Sequence, residues 1–184
     1  MFKILKEKIV FNDRFIIKQG KIADNSGHEF SRLCLKREDA AAVLIVNTEA
    51  NTIVLTRQFR YPISGKTKEY ILEIVAGKID TNENPLETAI REAEEETGYR
   101  INFQNIKPIL SCFSSPGYSS ERFFIYFANV SNADKINKGG GLENENEYIE
   151  IIEMPIEQFK ECIRNRTIED AKTYIAGLYF LLQR

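Results

Sequence analysis

Residues Gly77–Tyr99 read GKIDTNENPLETAIREAEEETGY, and this stretch decides the fold. It comprises a glycine turn, an acidic loop and one short helix. Asn84 is a good N-cap. Pro85 follows at the first helical position, where its missing N–H costs nothing, and Glu87 stands where a capping box wants it. Gly98 ends the helix, with Thr97 as its last good helical residue. At about 100° per residue, Leu86, Ala89, Ile90 and Ala93 share one face, the natural core side. Glu92, Glu95 and Glu96 stand at i, i+3 and i+4 on the neighbouring face.

That acidic cluster is badly placed for stability. Carboxylates in the last turn meet the negative end of the helix dipole, at about 0.3–1 kcal/mol each. Glu92 and Glu96 also repel each other as a like-charge i,i+4 pair, and Arg91 meets Glu95 in the less favourable order. A divalent cation held by oxygen ligands would resolve the conflict, since Mg²⁺ takes a few carboxylates together with substrate phosphate oxygens. The plain alternative is a solvated acidic face. The spacing decides between them: the stretch resembles the Nudix hydrolase box, G-x5-E-x7-R-E-U-x-E-E-x-G-U with U a bulky aliphatic. Gly77, Glu83, Arg91, Glu92, Glu95, Glu96 and Gly98 all stand in register. Ala93 and Tyr99 depart at the U positions, which concern packing rather than chemistry.

Composition sets the outer limits. The chain has 184 residues, 43% hydrophobic and 28% charged, as expected of an ordinary soluble globular protein. A net charge of −2 provides no electrostatic footprint for nucleic acid. No apolar run is long enough to span a membrane, and charges interrupt the N-terminal MFKILKEKIVF where a signal peptide needs an apolar core. Cys34, Cys112 and Cys162 are scattered, without C-x-x-C, and suggest buried thiols in a reducing cytoplasm. His28 is the sole histidine, so a metal site here is expected to be built from oxygen.

Residues 1–39 are expected to form a separate element of three short antiparallel strands, KILKEKIVF, RFIIKQGKIA and HEFSRLCLKR, with Asp24-Asn25-Ser26-Gly27 as a turn. So small a sheet needs a partner surface. Residues 40–184 then form the main domain. Ala40–Asn47 has the continuous apolar character of a strand buried on both faces. Thr52–Phe59 pairs with it through a turn at residues 48–51. A strand from Tyr70 to Val75 runs into Ala76-Gly77; Glu73 interrupts it and needs a partner. Arg57 and Arg60 are read either as surface charge or as a clamp for a diphosphate, which suits the planar arginine fork. Strands are expected at Ile106–Phe113, Arg122–Val130 and Ile149–Met154. Between the last two, SNADKINKGGGLENENE is read as a flexible surface loop, or as an arm delivering a carboxylate from Glu143, Glu145 or Glu147. Pro155 should start a helix to about Arg164. Thr167 should cap a last helix whose face of Ala171, Ile175, Leu178 and Leu182 packs inward. Lys172 is the member of that helix that fits a purely structural role least, because it lies near the helix start among polar residues.

Within the Nudix family, the chain looks most like the nucleoside diphosphate-sugar pyrophosphatases. RQFRYP, the E-x-x-AGKID lead into the box and the SPG after it are similar to the ADP-ribose and GDP-mannose branches together. GGGLENENE and the EDAKT of the last helix look more like the GDP-mannose branch. The resemblance implies an α/β/α sandwich around a mixed sheet, and a homodimer that exchanges its N-terminal strands. It implies metal ligation, by Mg²⁺ with Mn²⁺ as an alternative, from the Ala76 carbonyl, Glu92, Glu96 and Glu147. Glu95 would be a further ligand or support, and Arg91 would orient the box carboxylates. Glu147, preferred to Glu145 by counting back from Pro155, would be the loop carboxylate; the family often has an aspartate after it, where this chain has Tyr148. Substrate contacts are implied for Arg60, Glu73, Gly77, Lys78, Glu121 and Lys172, with Arg14 and Arg32 reaching the other subunit's site. The implied reaction is hydrolysis of GDP-mannose to GMP and mannose 1-phosphate. ADP-ribose hydrolysis is the alternative, and a non-catalytic ligand-sensing Nudix module a distant one.

Overall fold

The computed structural model describes residues 1–67, 70–141 and 148–183. The chain divides into two units: residues 1–39 with 112–123, and residues 40–111 with 124–184.

In the first unit, β1 (Lys3–Asn12), β2 (Ile16–Ala23) and β3 (Glu29–Lys36) form an antiparallel sheet in that order. The expected turn between β2 and β3 is present. Asp24 Oδ1 accepts from the N–H groups of Ser26 (2.8 Å) and His28 (3.0 Å), and Gly27 takes φ 84°. β1 is exposed along its whole length. Phe2, Ile4, Ile9 and Phe11 are among the exposed large apolar side chains of this unit. Residues 112–123 lie along β3, where Leu35 N–H donates to the Tyr118 carbonyl at 2.7 Å.

In the second unit, β4 (Ala40–Asn47) is buried at every position, as its apolar run demands. Around it a seven-stranded mixed sheet takes the order β10-β5-β4-β9-β8, with β6 added to β5 and β7 to β4. Its other strands are β5 (Thr52–Phe59), β6 (Tyr70–Glu73), β7 (Val75–Lys78), β8 (Ile106–Phe113), β9 (Arg122–Val130) and β10 (Glu150–Pro155); β8 and β9 each continue into the first unit. The helix α1 (Pro85–Thr97) contacts β4, β5 and β7. Ala89 and Ala93 of α1 are fully buried in one core with Ala41, Val43, Ile45 and Val75, and Leu86 and Ile90 pack against it. The helices α2 (Ile156–Arg164) and α3 (Ala171–Leu182) contact each other, and also β5 and β4 respectively. The expected α/β/α sandwich is therefore the observed one.

Three local expectations are corrected. The strand expected over residues 70–75 breaks at Ile74: β6 pairs with β5, whereas β7 crosses to pair with β4. The Ile74 N–H, lost to the ladder, donates to Thr173 Oγ1 at 2.8 Å, which meets the requirement that buried backbone donors be satisfied. The last helix is capped by Asp170, whose Oδ2 accepts from the Thr173 N–H (2.9 Å), while Thr167 N–H bonds back to Cys162. Its buried face is Lys172, Thr173, Ala176 and Gly177 rather than the leucine stripe, and Leu182 is 82% exposed. Small residues win that face because the helix lies close on its neighbours: a Cβ on Gly177 would stand 2.3 Å from Ile163 Cδ1.

Candidate active site

The helix α1 carries the acidic cluster, and the expected Asn84 cap and Gly98 terminus both form. Asn84 Oδ1 accepts from the N–H groups of Leu86 (3.0 Å) and Glu87 (2.9 Å), and Gly98 closes the helix at φ 77°. Arg91 is the hub of the carboxylates. Its Nε donates to Glu83 Oε1 at 3.0 Å and its Nη2 to Glu83 Oε2 at 3.1 Å. Its Nη1 meets Glu92 at 2.8 Å and Glu95 at 2.9 Å. The bonds to Glu83, and behind them the charges of Glu92 and Glu95, hold the guanidinium protonated well above its ordinary range. The same hydrogen bonds, with a further one from Thr88, draw the Glu83 carboxyl below the usual carboxylate range.

Among the described residues, no three His, Cys, Asp or Glu side chains converge closely enough to enclose an ion as they stand. The donors nevertheless fit a hard divalent cation. Glu92 lies against the backbone of Gly77 so closely that a Cβ there would fall 1.9 Å from its Cδ, which puts the carboxylate beside β7, the strand that the sequence suggested as a glycine turn and that bears the Ala76 carbonyl. Glu96, in the same helix, is only 3% exposed. Carboxylate and carbonyl oxygens are the ligands that Mg²⁺ and Mn²⁺ prefer.

A second cluster, of paired charges and largely buried, lies within the same unit. Glu73, 4% exposed, accepts from Arg60 Nη2 (2.5 Å) and Nε (3.1 Å). Lys172, 6% exposed, stands 3.4 Å from Glu73 and 3.1 Å from Asp170. Burial alone would push the Glu73 carboxyl up, but Lys172 and Arg60 outweigh it and the group lies below the usual range. Burial likewise opposes the charge on Arg60, and the bond to Glu73 overcomes it, helped by the fields of Glu73, Glu96 and Asp170. Arg60 is thus within electrostatic reach of a box carboxylate. Arg60 and Glu73 also line an open cavity of about 510 Å³ with Lys66, Thr67, Glu169 and Asp170.

The remaining expected residues are distributed as follows. Arg57 does not join Arg60; it forms a two-pronged bond to Glu150 of β10, at 2.9 Å from Nε and 2.6 Å from Nη2 to Oε2. Lys78 is exposed at the end of β7. Glu121, Arg14 and Arg32 belong to the first unit. There Glu121 accepts from Arg37 at 3.4 Å, Arg32 lies over the Phe30 ring at 4.7 Å, and Arg14 is exposed in the turn after β1. Glu143, Glu145 and Glu147 lie outside the described residues. Two features escaped sequence reasoning. Tyr99, in a box position for aliphatics, is buried, with its hydroxyl accepting from Asn47 and donating to Glu153, both at 3.1 Å. Gly139–Gly141 is hydrogen-bonded to the end of α1 rather than a free tether: the Gly140 N–H donates to the Glu96 carbonyl at 2.8 Å.

The family profile described as "NUDIX domain" matches residues 36–175. The chain belongs to the Nudix family. Among its Nudix relatives is a protein of Cronobacter sakazakii named GDP-mannose pyrophosphatase, 34% identical over 180 residues, covering 94% of this chain and 91% of that one. Another, from Bacillus methanolicus, is named methanol dehydrogenase activator and is 32% identical over 181 residues, covering 98% of this chain and 93% of the relative. A solved structure titled as an ADP compounds hydrolase shares the fold with a TM-score of 0.77, covering 99% of this chain and 94% of that chain at 20% identity. The Nudix hydrolase assignment suggested by the box is thus borne out.

Proposed function

We propose that this Nudix pyrophosphatase cleaves nucleotide sugars, and GDP-mannose before others, to a nucleoside monophosphate and a sugar 1-phosphate. The observation that carries the reading is the presence of two charged clusters in one unit: the box carboxylates around Glu92 and Glu96, and the partly exposed Arg60 and buried Lys172, both paired with Glu73. Ala76, Glu92 and Glu96 would hold Mg²⁺, with Glu95 in support. When bound, the metal neutralises the diphosphate and lowers the pKa of water. Arg60 and Lys172 would bind the non-bridging phosphate oxygens. Arg91 would orient the box carboxylates through its contacts with Glu83, Glu92 and Glu95. Water attacks one phosphorus in line, the bond to the bridging oxygen breaks, and that oxygen leaves with the other phosphate. Glu147 is proposed to take the water's proton; Gly77, Lys78 and Glu121 would contact substrate.

The order of substrates follows the GGGLENENE and EDAKT similarities and the identity to GDP-mannose pyrophosphatases. ADP-ribose is the second reading, because RQFRYP and AGKID are similar to both branches. A ligand-sensing module is disfavoured, since every box carboxylate is present. Residues 1–39 are proposed to be a distinct element through which two copies pair, supported by the exposed apolar side chains of β1. Arg14 and Arg32 would then serve the other copy's site. None of the described helices is long and apolar enough to cross a membrane, and the cysteine pattern supports a cytoplasmic setting.

A substrate panel with product identification tests this reading. With Mg²⁺, kcat/KM for GDP-mannose or ADP-ribose should exceed that for GTP or dGTP by at least ~10²-fold, or ~2.7 kcal/mol. ADP-ribose turning over much faster would reverse the order of substrates. Efficient triphosphate hydrolysis with little action on either sugar nucleotide would sink the assignment.

A further inference from the structure

The last turn of α1 poses a problem that its own residues do not solve. A helix ends in carbonyls without partners inside it, and three carboxylates here, Glu94, Glu95 and Glu96, add negative charge to the negative end of the dipole. No basic residue occupies that turn. The partners come instead from residues 136–141. Gly140 N–H donates to the Glu96 carbonyl (2.8 Å), Gly141 N–H to that of Glu95 (3.3 Å), and Ile136 N–H to that of Gly98 (2.9 Å). Gly140 in turn accepts from Ile149 N–H at 3.3 Å, tying the segment toward β10.

The glycines are required by both space and dihedral angle. A Cβ on Gly139 would stand 2.5 Å from the Thr97 carbonyl carbon and 2.6 Å from the Glu96 carbonyl oxygen. Both are backbone atoms, so relief requires the turn itself to move. Gly139, Gly140 and Gly141 all take positive φ, at 61°, 107° and 79°, where other residues are strained. Asn137 Oδ1 holds the start of the segment by accepting from Gly139 N–H at 2.7 Å. Gly139 and Gly141 also wall a cavity of about 560 Å³ together with Arg91 and Glu95.

We propose that Gly139–Gly141 is a positioning strap: its N–H groups do the work of a basic residue at the end of α1 and set the turn from which Glu95 and Glu96 project. This rests on the proposed metal role of the box carboxylates. The strap touches neither substrate nor metal and acts only through the backbone of α1.

The test is Mn²⁺ binding to the folded protein, followed by calorimetry well below its melting temperature, alongside kinetics and thermal unfolding. Gly139→Ala should weaken Mn²⁺ binding by ~10-fold or more, the scale for losing an outer support of a metal site. It should lower kcat with KM for the nucleotide substrate little changed. Gly27→Ala serves as control, since Gly27 shares the positive φ but has nothing within 4 Å of its would-be Cβ; its Mn²⁺ affinity should equal that of the wild type even if its melting temperature falls. Asn137→Ala, which loosens the strap without adding bulk, should shift Mn²⁺ affinity in the same direction by less, and it decides the matter if Gly139→Ala does not fold. A lowered melting temperature with unchanged Mn²⁺ affinity in both strap variants would overturn the proposal. A wild-type protein that binds no Mn²⁺ would overturn the metal reading itself, and the strap with it.

Discussion

At the residue scale, the site is a set of charges placed where stability alone would not put them. Glu96 is buried at the negative end of α1. Glu96→Gln should therefore lower kcat by at least ~10²-fold, the scale for losing one contact made in the transition state. It should leave the metal-free melting temperature undiminished, because it relieves repulsion; a loss of several kcal/mol would mark the carboxylate as structural. Glu73 behaves oppositely. Itself buried, it pairs with Arg60 and with the buried Lys172, which it shares with Asp170, and breaking a buried pair costs ~3–5 kcal/mol. Its folded pKa lies below the ordinary glutamate value of 4.5, so its contribution is present above that value and is lost as pH falls through the depressed folded pKa. Urea unfolding should show Glu73→Gln much less stable than wild type at neutral pH, with the gap closing in acid. A gap that widens in acid would contradict the pairing.

At the element scale, the instructive case is α3. A 3.6-residue periodicity selects Ala171, Ile175, Leu178 and Leu182 as the inner face, yet Leu178 and Leu182 are exposed and Thr173, Ala176 and Gly177 are buried. Hydrophobic patterning registers apolar area, whereas close approach between elements is won by small side chains. Gly177 is the decisive position. Alanine there would ordinarily gain ~1 kcal/mol of helix propensity, but it meets Ile163 and Phe159, both buried, and overpacking of this kind costs ~1–3 kcal/mol. Gly177→Ala should therefore destabilise the protein in urea unfolding, and Leu182→Ser should be nearly neutral. Stabilisation by Gly177→Ala would mean that α3 stands off from α2.

At the scale of the whole molecule, the three-stranded sheet of the first unit leaves apolar side chains in water, with Phe2 70% and Ile4 63% exposed. A surface of that kind on so small a sheet calls for a partner, and a second copy of this chain is the proposed one. If Arg32 serves the other copy's site, mixing Arg32→Ala subunits with Glu96→Gln subunits should restore part of the activity through hybrid dimers. Sedimentation of the protein as a monomer, or no recovery after subunit exchange, would refute the arrangement.

What the sequence by itself determined is everything carried by local spacing. The caps at Asn84 and Gly98, the register of Glu83, Arg91, Glu92, Glu95 and Glu96, and the doubly buried β4 depend on neighbours within a few residues, so the order of amino acids alone makes them legible. Much of the rest was decided only in three dimensions, because it joins residues far apart in the chain. Glu73 visibly needs a counter-charge, but that Arg60 and Lys172 both supply it depends on α3 docking beside β6. Tyr99 is a mere departure from an aliphatic pattern until Asn47 and Glu153 meet its hydroxyl. The triple glycine reads as slack, and only tertiary structure shows it bound to the carbonyls of Glu95 and Glu96: hydrogen bonds between distant backbones leave no pattern in side-chain chemistry.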